Sequence, residues 1–181
     1  MIKAMIMEPS RNQFKTICFT DSTGGCFRKA YFDRNNVPVL EQLTELHMDK
    51  VGIQSTSLLA GPDYKLVAYR KYLRDLENKP VATEDYKLID DEFQLINRCV
   101  TEIYSPNNPI TRKEIWYDSN NNPRYMWIEE KGNYKFYTPD GQEIDDESYG
   151  EFLAENLKDF ETIDDIVQQI LKAATEKLLA E

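Results

Sequence analysis

Turn-forming stretches interrupt the chain at short intervals, and these interruptions limit how far any helix or strand can extend. They combine Gly, Pro, Asn and Asp in the segments DSTGG, DRNNVP, NKP, SPNNP, SNNNP, KGN and PDGQ. Two longer segments, at 32–38 and 117–123, share the pattern aromatic-Asp-x-Asn-Asn-x-Pro. The segments that follow them differ in predicted structure, so we interpret the pattern as shared turn chemistry and not as a repeated domain.

Segments near the N-terminus and in the third quarter of the chain have the composition of strands. MIKAMIM is a short apolar run, FKTICFT (14–20) alternates with a period of two, and DSTGG leads into CFRKAYF (26–32). Residues that favour strands are also dense in KEIWYD, RYMWIEE and YKFYT. We therefore predict antiparallel β-meanders near the N-terminus and at about 113–144.

Apolar residues at intervals of three and four predict helices in the remaining segments. The helices are expected at about 38–50, 64–77, 84–104 and 146–180. One predicted helical face consists of Leu40, Leu43, Leu46 and His47, and another of Ile89, Phe93, Ile96, Val100 and Ile103. With the meanders, these helices predict an α+β fold and a single domain over 1–181, with lobes 1–105 and 106–181 as an alternative division.

The C-terminal helix has the clearest sequence signals. Thr162 and Asp165 have the spacing of a capping box, with aspartate in place of glutamate. The apolar side chains that follow recur with helical spacing and predict one buried face. They are Ile163, Ile166, Val167, Ile170, Leu171, Ala174 and Leu178.

The net charge of −10 is concentrated in one segment of the chain. Residues 140–165 contain eleven carboxylates and a single base, Lys158, so this segment alone carries −10 and the remainder is neutral. An acid at every second or third residue of a helix places one charge per roughly 3 to 5 Å, which is comparable to one strand of a nucleic acid. The segment therefore predicts either a solvated helical surface or a surface that attracts a basic partner.

The segment 118–129 has the spacing of a calcium loop, with oxygen-bearing side chains at its first, third and fifth positions and Glu129 at its twelfth. Its sixth position is Pro123, which cannot adopt the positive φ that such a loop needs. Met126, at the ninth position, offers no oxygen, and the flanking residues favour strands. We predict an Asn-rich hairpin turn here.

The sequence contains no catalytic motif with convincing spacing. Ser22 and Cys26 lie beside glycines but lack a P-loop lysine or a G-x-S-x-G pattern, and the single histidine, His47, is interpreted as a packing residue. The carboxylates of IDDE (89–92) and IDDESYGE (144–151) leave a small metal-dependent hydrolase as an alternative. The leading expectation is no enzymatic activity, no cofactor and no bound metal.

Cysteine usage and hydropathy bear on location. The three cysteines, Cys18, Cys26 and Cys99, are an odd number without a C-x-x-C motif, which favours reduced thiols in a cytoplasm. No apolar stretch approaches the roughly 18 residues of a membrane span, so we expect no membrane association.

Bases interleaved with tyrosines at 64–74 are diluted by acids, and the overall negative charge argues against direct binding of nucleic acid.

The short length, the acidity, the abundance of Asn, Tyr and Asp and the missing catalytic signature resemble the profile of small phage or mobile-element inhibitors, including anti-CRISPR and anti-restriction proteins. The resemblance implies a non-enzymatic binder that mimics nucleic acid and blocks a basic nucleic-acid-binding site of a bacterial nuclease. A self-associating adaptor or homodimer is a further alternative. The expected partner-binding residues are Asp140, Glu143, Asp145, Asp146, Glu147, Tyr149, Glu151, Phe152, Glu155 and Asp159.

Overall fold

The computed structural model describes residues 3–7, 14–20, 26–47, 53–75, 77, 79–104 and 107–180. Within these residues the chain forms a twelve-stranded antiparallel sheet in which every strand pairs with the next one in the sequence. The strands are β1 (Lys3–Met7), β2 (Lys15–Thr20), β3 (Cys26–Phe32), β4 (Pro38–His47), β5 (Ile53–Ala60), β6 (Lys65–Arg74), β7 (Pro80–Ile89), β8 (Glu92–Ile103), β9 (Ile110–Asp118), β10 (Pro123–Glu130), β11 (Asn133–Tyr137) and β12 (Glu143–Ile144). Two helices follow, α1 (Asp146–Asn156) and α2 (Ile163–Ala180).

The predicted α+β class is wrong, because the described part of the chain is mainly β. The helices predicted at 38–50, 64–77 and 84–104 are the strands β4, β6 and the β7–β8 pair. The apolar residues had helical spacing because the strands carry apolar side chains on both faces. In β6, for example, Ala68 is buried in the core, whereas Tyr69 stacks on Tyr86 on the opposite face.

A tight turn was also missed in the segment predicted as a long helix. Asp90 and Asp91 connect β7 to β8 and have φ values of 50° and 63°. Two-residue hairpin turns of this kind usually contain Asn-Gly or Asp-Gly, so Asp-Asp gave no recognisable signal. The residues Ile89 and Phe93, predicted to share a helical face, instead flank this turn and are 36% and 38% exposed.

Several predictions are confirmed. The strands expected at 14–20 and 26–32 correspond to β2 and β3, and the meander expected at about 113–144 comprises β9 to β12. The helical region predicted at 146–180 is present as α1 and α2, with a break between them. The turn predicted at DSTGG lies outside the described residues.

The two Asn-rich segments that share a sequence pattern form the same turn. Asp118 accepts hydrogen bonds through Oδ1 from the backbone N–H groups of Asn120 and Asn122, both at 2.9 Å, and it lies 3.3 Å from Arg124. Asp33 accepts two such bonds at 2.8 Å in the turn between β3 and β4. The Asp118 carboxylate is therefore used within the turn, as the hairpin interpretation of the calcium-like spacing predicts.

The core lies between α2 and one face of the sheet. Leu40, Leu58 and Ala68 of the sheet are at most 1% exposed and form one cluster with Ile163, Ile166 and Val167 of α2. The predicted capping box is present, since Asp165 accepts a hydrogen bond from the Thr162 N–H at 2.8 Å. Of the predicted apolar face, the residues that the structure buries are Ile163, Ile166, Val167 and Leu178.

A buried carboxylate fixes the start of α2 on the sheet. Asp85 on β7 is 1% exposed and binds Arg70 through two hydrogen bonds, of 2.6 and 2.8 Å. Its Oδ2 also accepts the backbone N–H of Ile163 at 3.0 Å and the amide of Asn97 at 2.9 Å. Because these donors come from two strands and one helix, Asp85 ties the helix to the sheet.

The cysteines differ from the prediction of three reduced thiols. Cys18 on β2 and Cys26 on β3 are joined by a disulfide, whereas Cys99 is free and buried. The spacing of eight residues gave no motif, but adjacent antiparallel strands bring the two side chains together. No helix within the described residues is long and apolar enough to cross a membrane.

Candidate functional site

Helix α1 lies at the end of the sheet, on the face that α2 also covers. Asp145 is its N-cap and accepts the backbone N–H of Ser148 at 2.8 Å, and this hydrogen bond lowers the pKa of the Asp145 carboxyl. The ring of Tyr149 packs 4.1 Å from that of Phe136 on β11. A hydrogen bond from Arg124 to the carbonyl oxygen of Asn156 holds the other end of the helix.

The segment after α1 is held by aromatic contacts. The ring of Phe160 packs edge-on against Trp116 and Tyr125, with centroid distances of 6.1 and 6.0 Å. The rings of Trp116 and Tyr125 stack on each other across β9 and β10. Contacts at both ends of α1 therefore fix which side of the helix faces the solvent.

The solvent side of α1 carries three glutamates in a row, which we call the α1 stripe: Glu147, Glu151 and Glu155. All three are exposed. Residues four apart lie on the same side of a helix and are separated by about 6 Å along its axis. No lysine or arginine in the described ranges forms an ion pair with any of them.

Three carboxylates of the acidic segment are paired within the molecule. Glu143 lies 3.2 Å from Lys135, Glu161 lies 2.8 Å from Lys87, and Asp164 lies 3.6 Å from Arg70. Arg70, the base in the last of these pairs, belongs to the basic segment 64–74. These three acids therefore already have a base close by and are less available to a partner.

The remaining predicted partner-binding residues fall into two groups. Asp140, Asp146 and Asp159 are exposed and lie close to the α1 stripe in the sequence. Asp140 also accepts a hydrogen bond from the hydroxyl of Thr138. Tyr149 and Phe152 are half-buried. Since Tyr149 packs on the sheet, its ring serves the attachment of α1.

The other candidate sites are not assembled by the described residues. No three Asp, Glu, His or Cys side chains in the described ranges are grouped so that they could hold a metal ion. Asp90 and Asp91 form a hairpin turn, and Cys26 is bonded to Cys18. Ser22 and the side chain of His47 lie outside the described residues.

Comparison with known proteins identified no relative. No protein family, no curated protein and no solved structure matches the chain.

Proposed function

We propose that this protein is a non-enzymatic inhibitor that binds the basic nucleic-acid-binding site of a bacterial nuclease through the α1 stripe. The observation that supports the proposal is the row Glu147, Glu151 and Glu155, exposed on a helix whose other side is attached to the sheet. The partner is expected to carry lysines or arginines in a groove that normally accepts phosphates.

The charge distribution supports recognition by this part of the surface. The net charge of the chain resides in residues 140–165, and three of the eleven acids there are neutralised by internal ion pairs. The stripe places one charge per about 6 Å, which is roughly half the density along one strand of DNA. Attraction of this kind acts mainly on the association rate and weakens as salt screens it.

The proposal is tested with a stripe variant, Glu147→Gln/Glu151→Gln/Glu155→Gln, and a matched control, Asp63→Asn/Asp91→Asn/Glu92→Gln. Both change the net charge by the same amount, and all six residues are exposed. The immobilised wild-type chain is used to capture its partner from a bacterial lysate, and the captured protein is identified by mass spectrometry.

The wild-type and control chains should retain the same basic nuclease, and the stripe variant should lose it. Unchanged far-UV circular dichroism would show that each variant is folded. Equal capture by the stripe variant, or capture of a protein without a basic nucleic-acid site, would contradict the proposal.

A further inference from the structure

A polar cleft opens on the helix-covered face of the sheet, beside the start of α2 and away from α1. Its volume is about 260 Å³, and strands β3 to β6 form its floor. The register of the strands pairs Lys29 with Gln42 and Thr44 with Thr56. Thr56 is also paired with Arg70 on its other side. These side chains lie on the same face as the buried Leu40 and Leu58, so the face changes from apolar to polar near the first residues of α2.

Arg70 is a fixed cation at the edge of the cleft. Its Nε and Nη2 atoms are bound to Asp85, which leaves Nη1 directed away from that carboxylate. The nearest acid to Nη1 is Asp164, at 3.6 Å, and its side chain is 75% exposed. Burial opposes the charge of Arg70, but the hydrogen bonds to Asp85 outweigh this effect and raise its pKa. The guanidinium is thus charged and held in one orientation.

Lys29 supplies a second cation at the cleft. Its Nζ atom lies 5.1 Å from the ring centroid of Tyr31, and no carboxylate in the described part of the chain pairs with it. The Tyr31 hydroxyl donates to Oε1 of Gln42 at 3.4 Å, so the NH₂ group of that amide remains a donor.

The floor adds a hydroxyl donor between these groups. The hydroxyls of Thr44 and Thr56 are 3.2 Å apart, and one hydrogen serves the contact between them. The hydrogen of the second hydroxyl is left for another acceptor. Among the residues that line the cleft, Asp164 is the one carboxylate. Arg28 also lines it, but its guanidinium is bound to Glu41 on the opposite face of the sheet, so the cations that face the cleft are Lys29 and Arg70. Donors therefore outnumber acceptors in the cleft.

We propose that this cleft binds a small oxyanion, the carboxylate or phosphate group of a metabolite, between Lys29, Arg70 and the Thr44–Thr56 pair. Charge-assisted hydrogen bonds from a guanidinium and an ammonium suit such a group. The volume is near the lower end of ligand pockets, which fits a small molecule and not a macromolecule. The inference is independent of the function proposed for the α1 stripe.

The test is a titration of the ¹⁵N-labelled protein, followed by heteronuclear NMR, with inorganic phosphate in one arm and acetate in the other at constant ionic strength. Binding predicts saturable shifts at the amides of Lys29, Thr44 and Thr56 and at the Nε–H of Arg70. Saturation by one probe alone identifies its class, and saturation by both shows that the shared oxyanion is recognised.

Variants show whether the cleft residues carry the binding. Lys29→Gln should weaken binding about tenfold, because it removes a charge-assisted hydrogen bond. Thr56→Val should weaken it less, and the matched control Lys172→Gln, an exposed lysine on α2, should leave it unchanged. Shifts that do not saturate with either probe would overturn the inference, as would equal effects of Lys29→Gln and Lys172→Gln in variants whose spectra show an intact fold.

Discussion

Replacing Asp85 by alanine should destabilise the protein more than any surface charge substitution. The carboxylate is 1% exposed and accepts hydrogen bonds from Arg70, Asn97 and the first residue of α2. In the variant, the Arg70 side chain, which is 15% exposed, keeps its charge without its partner. Removing one member of a buried ion pair typically costs about 3 to 5 kcal/mol.

The other donors of Asp85 add to this loss. The N–H of Ile163 and the amide of Asn97 would each lose an acceptor, at a cost of about 1 kcal/mol or more where water cannot replace it. Contributions within one network are not additive, so we expect a total loss of about 4 kcal/mol. That is a large part of the roughly 5 to 15 kcal/mol by which a domain of this kind is stable.

The assay is urea unfolding of wild type and Asp85→Ala, followed by tryptophan fluorescence and circular dichroism. Glu102→Ala is the control, because Glu102 is exposed and lies 3.8 Å from Lys113, and its loss should cost less than about 1 kcal/mol. The double variant Arg70→Met/Asp85→Leu should recover much of the stability, because it removes both charges. Equal losses in Asp85→Ala and Glu102→Ala would refute the reasoning.

Three further predictions concern the core, the turn and the free thiol. Leu58→Ala removes a fully buried side chain and should cost about 2 to 5 kcal/mol in urea unfolding; a loss below 1 kcal/mol would contradict the packing of Leu58 in the core between the sheet and α2. Partial burial of Asp118 acts to raise its pKa, but hydrogen bonds from Asn122 and Asn120 and the contact with Arg124 lower it overall. A carboxyl group whose pKa is lower in the folded state stabilises the fold at pH values above its unfolded-state pKa of about 3.9. This stabilisation is lost as the pH falls through the folded-state pKa. Asp118→Asn should therefore be less stable than wild type at neutral pH, and the difference should vanish in acid; a difference independent of pH would contradict the assignment. Burial, followed by the nearby Glu114, raises the pKa of the Cys99 thiol, so this thiol should react with a chromogenic disulfide only after unfolding, and rapid reaction of the native protein would show that Cys99 is accessible.

The sequence predicts well those elements whose signal is local. The two-residue alternation of FKTICFT gave β2, and the capping residues with the apolar face after Thr162 gave α2. The Asn-rich turns were also predicted, because an aspartate that binds backbone N–H groups two and four residues later depends only on the turn itself.

The central strands were not predictable from the same signals. In β6 and β8 the apolar side chains lie on both faces, so their spacing matches a helix as well as a strand, and only pairing with neighbouring strands decides. The Asp90–Asp91 turn lacks the glycine by which such hairpins are recognised. A single missed turn was enough to merge β7 and β8 into one predicted helix.

Counting charges in the sequence located the acidic segment, but it did not distinguish the acids that have internal partners from those that have none. The sequence could not show that Glu143, Glu161 and Asp164 have internal partners, because Lys135, Lys87 and Arg70 lie on three different strands. The cleft residues Lys29, Gln42, Thr44 and Thr56 were missed for a similar reason. They come from three strands, of which β4 was predicted as a helix, and no sequence pattern connects them.

The affinity for the captured nuclease, measured by calorimetry at low and at high salt, tests the central claim most directly. The wild-type chain should bind tightly at low salt and more weakly at high salt, and Glu147→Gln/Glu151→Gln/Glu155→Gln should bind weakly at both, with little dependence on salt. If the triple variant bound as tightly as wild type at both salt concentrations, the glutamates of α1 would have no part in recognition.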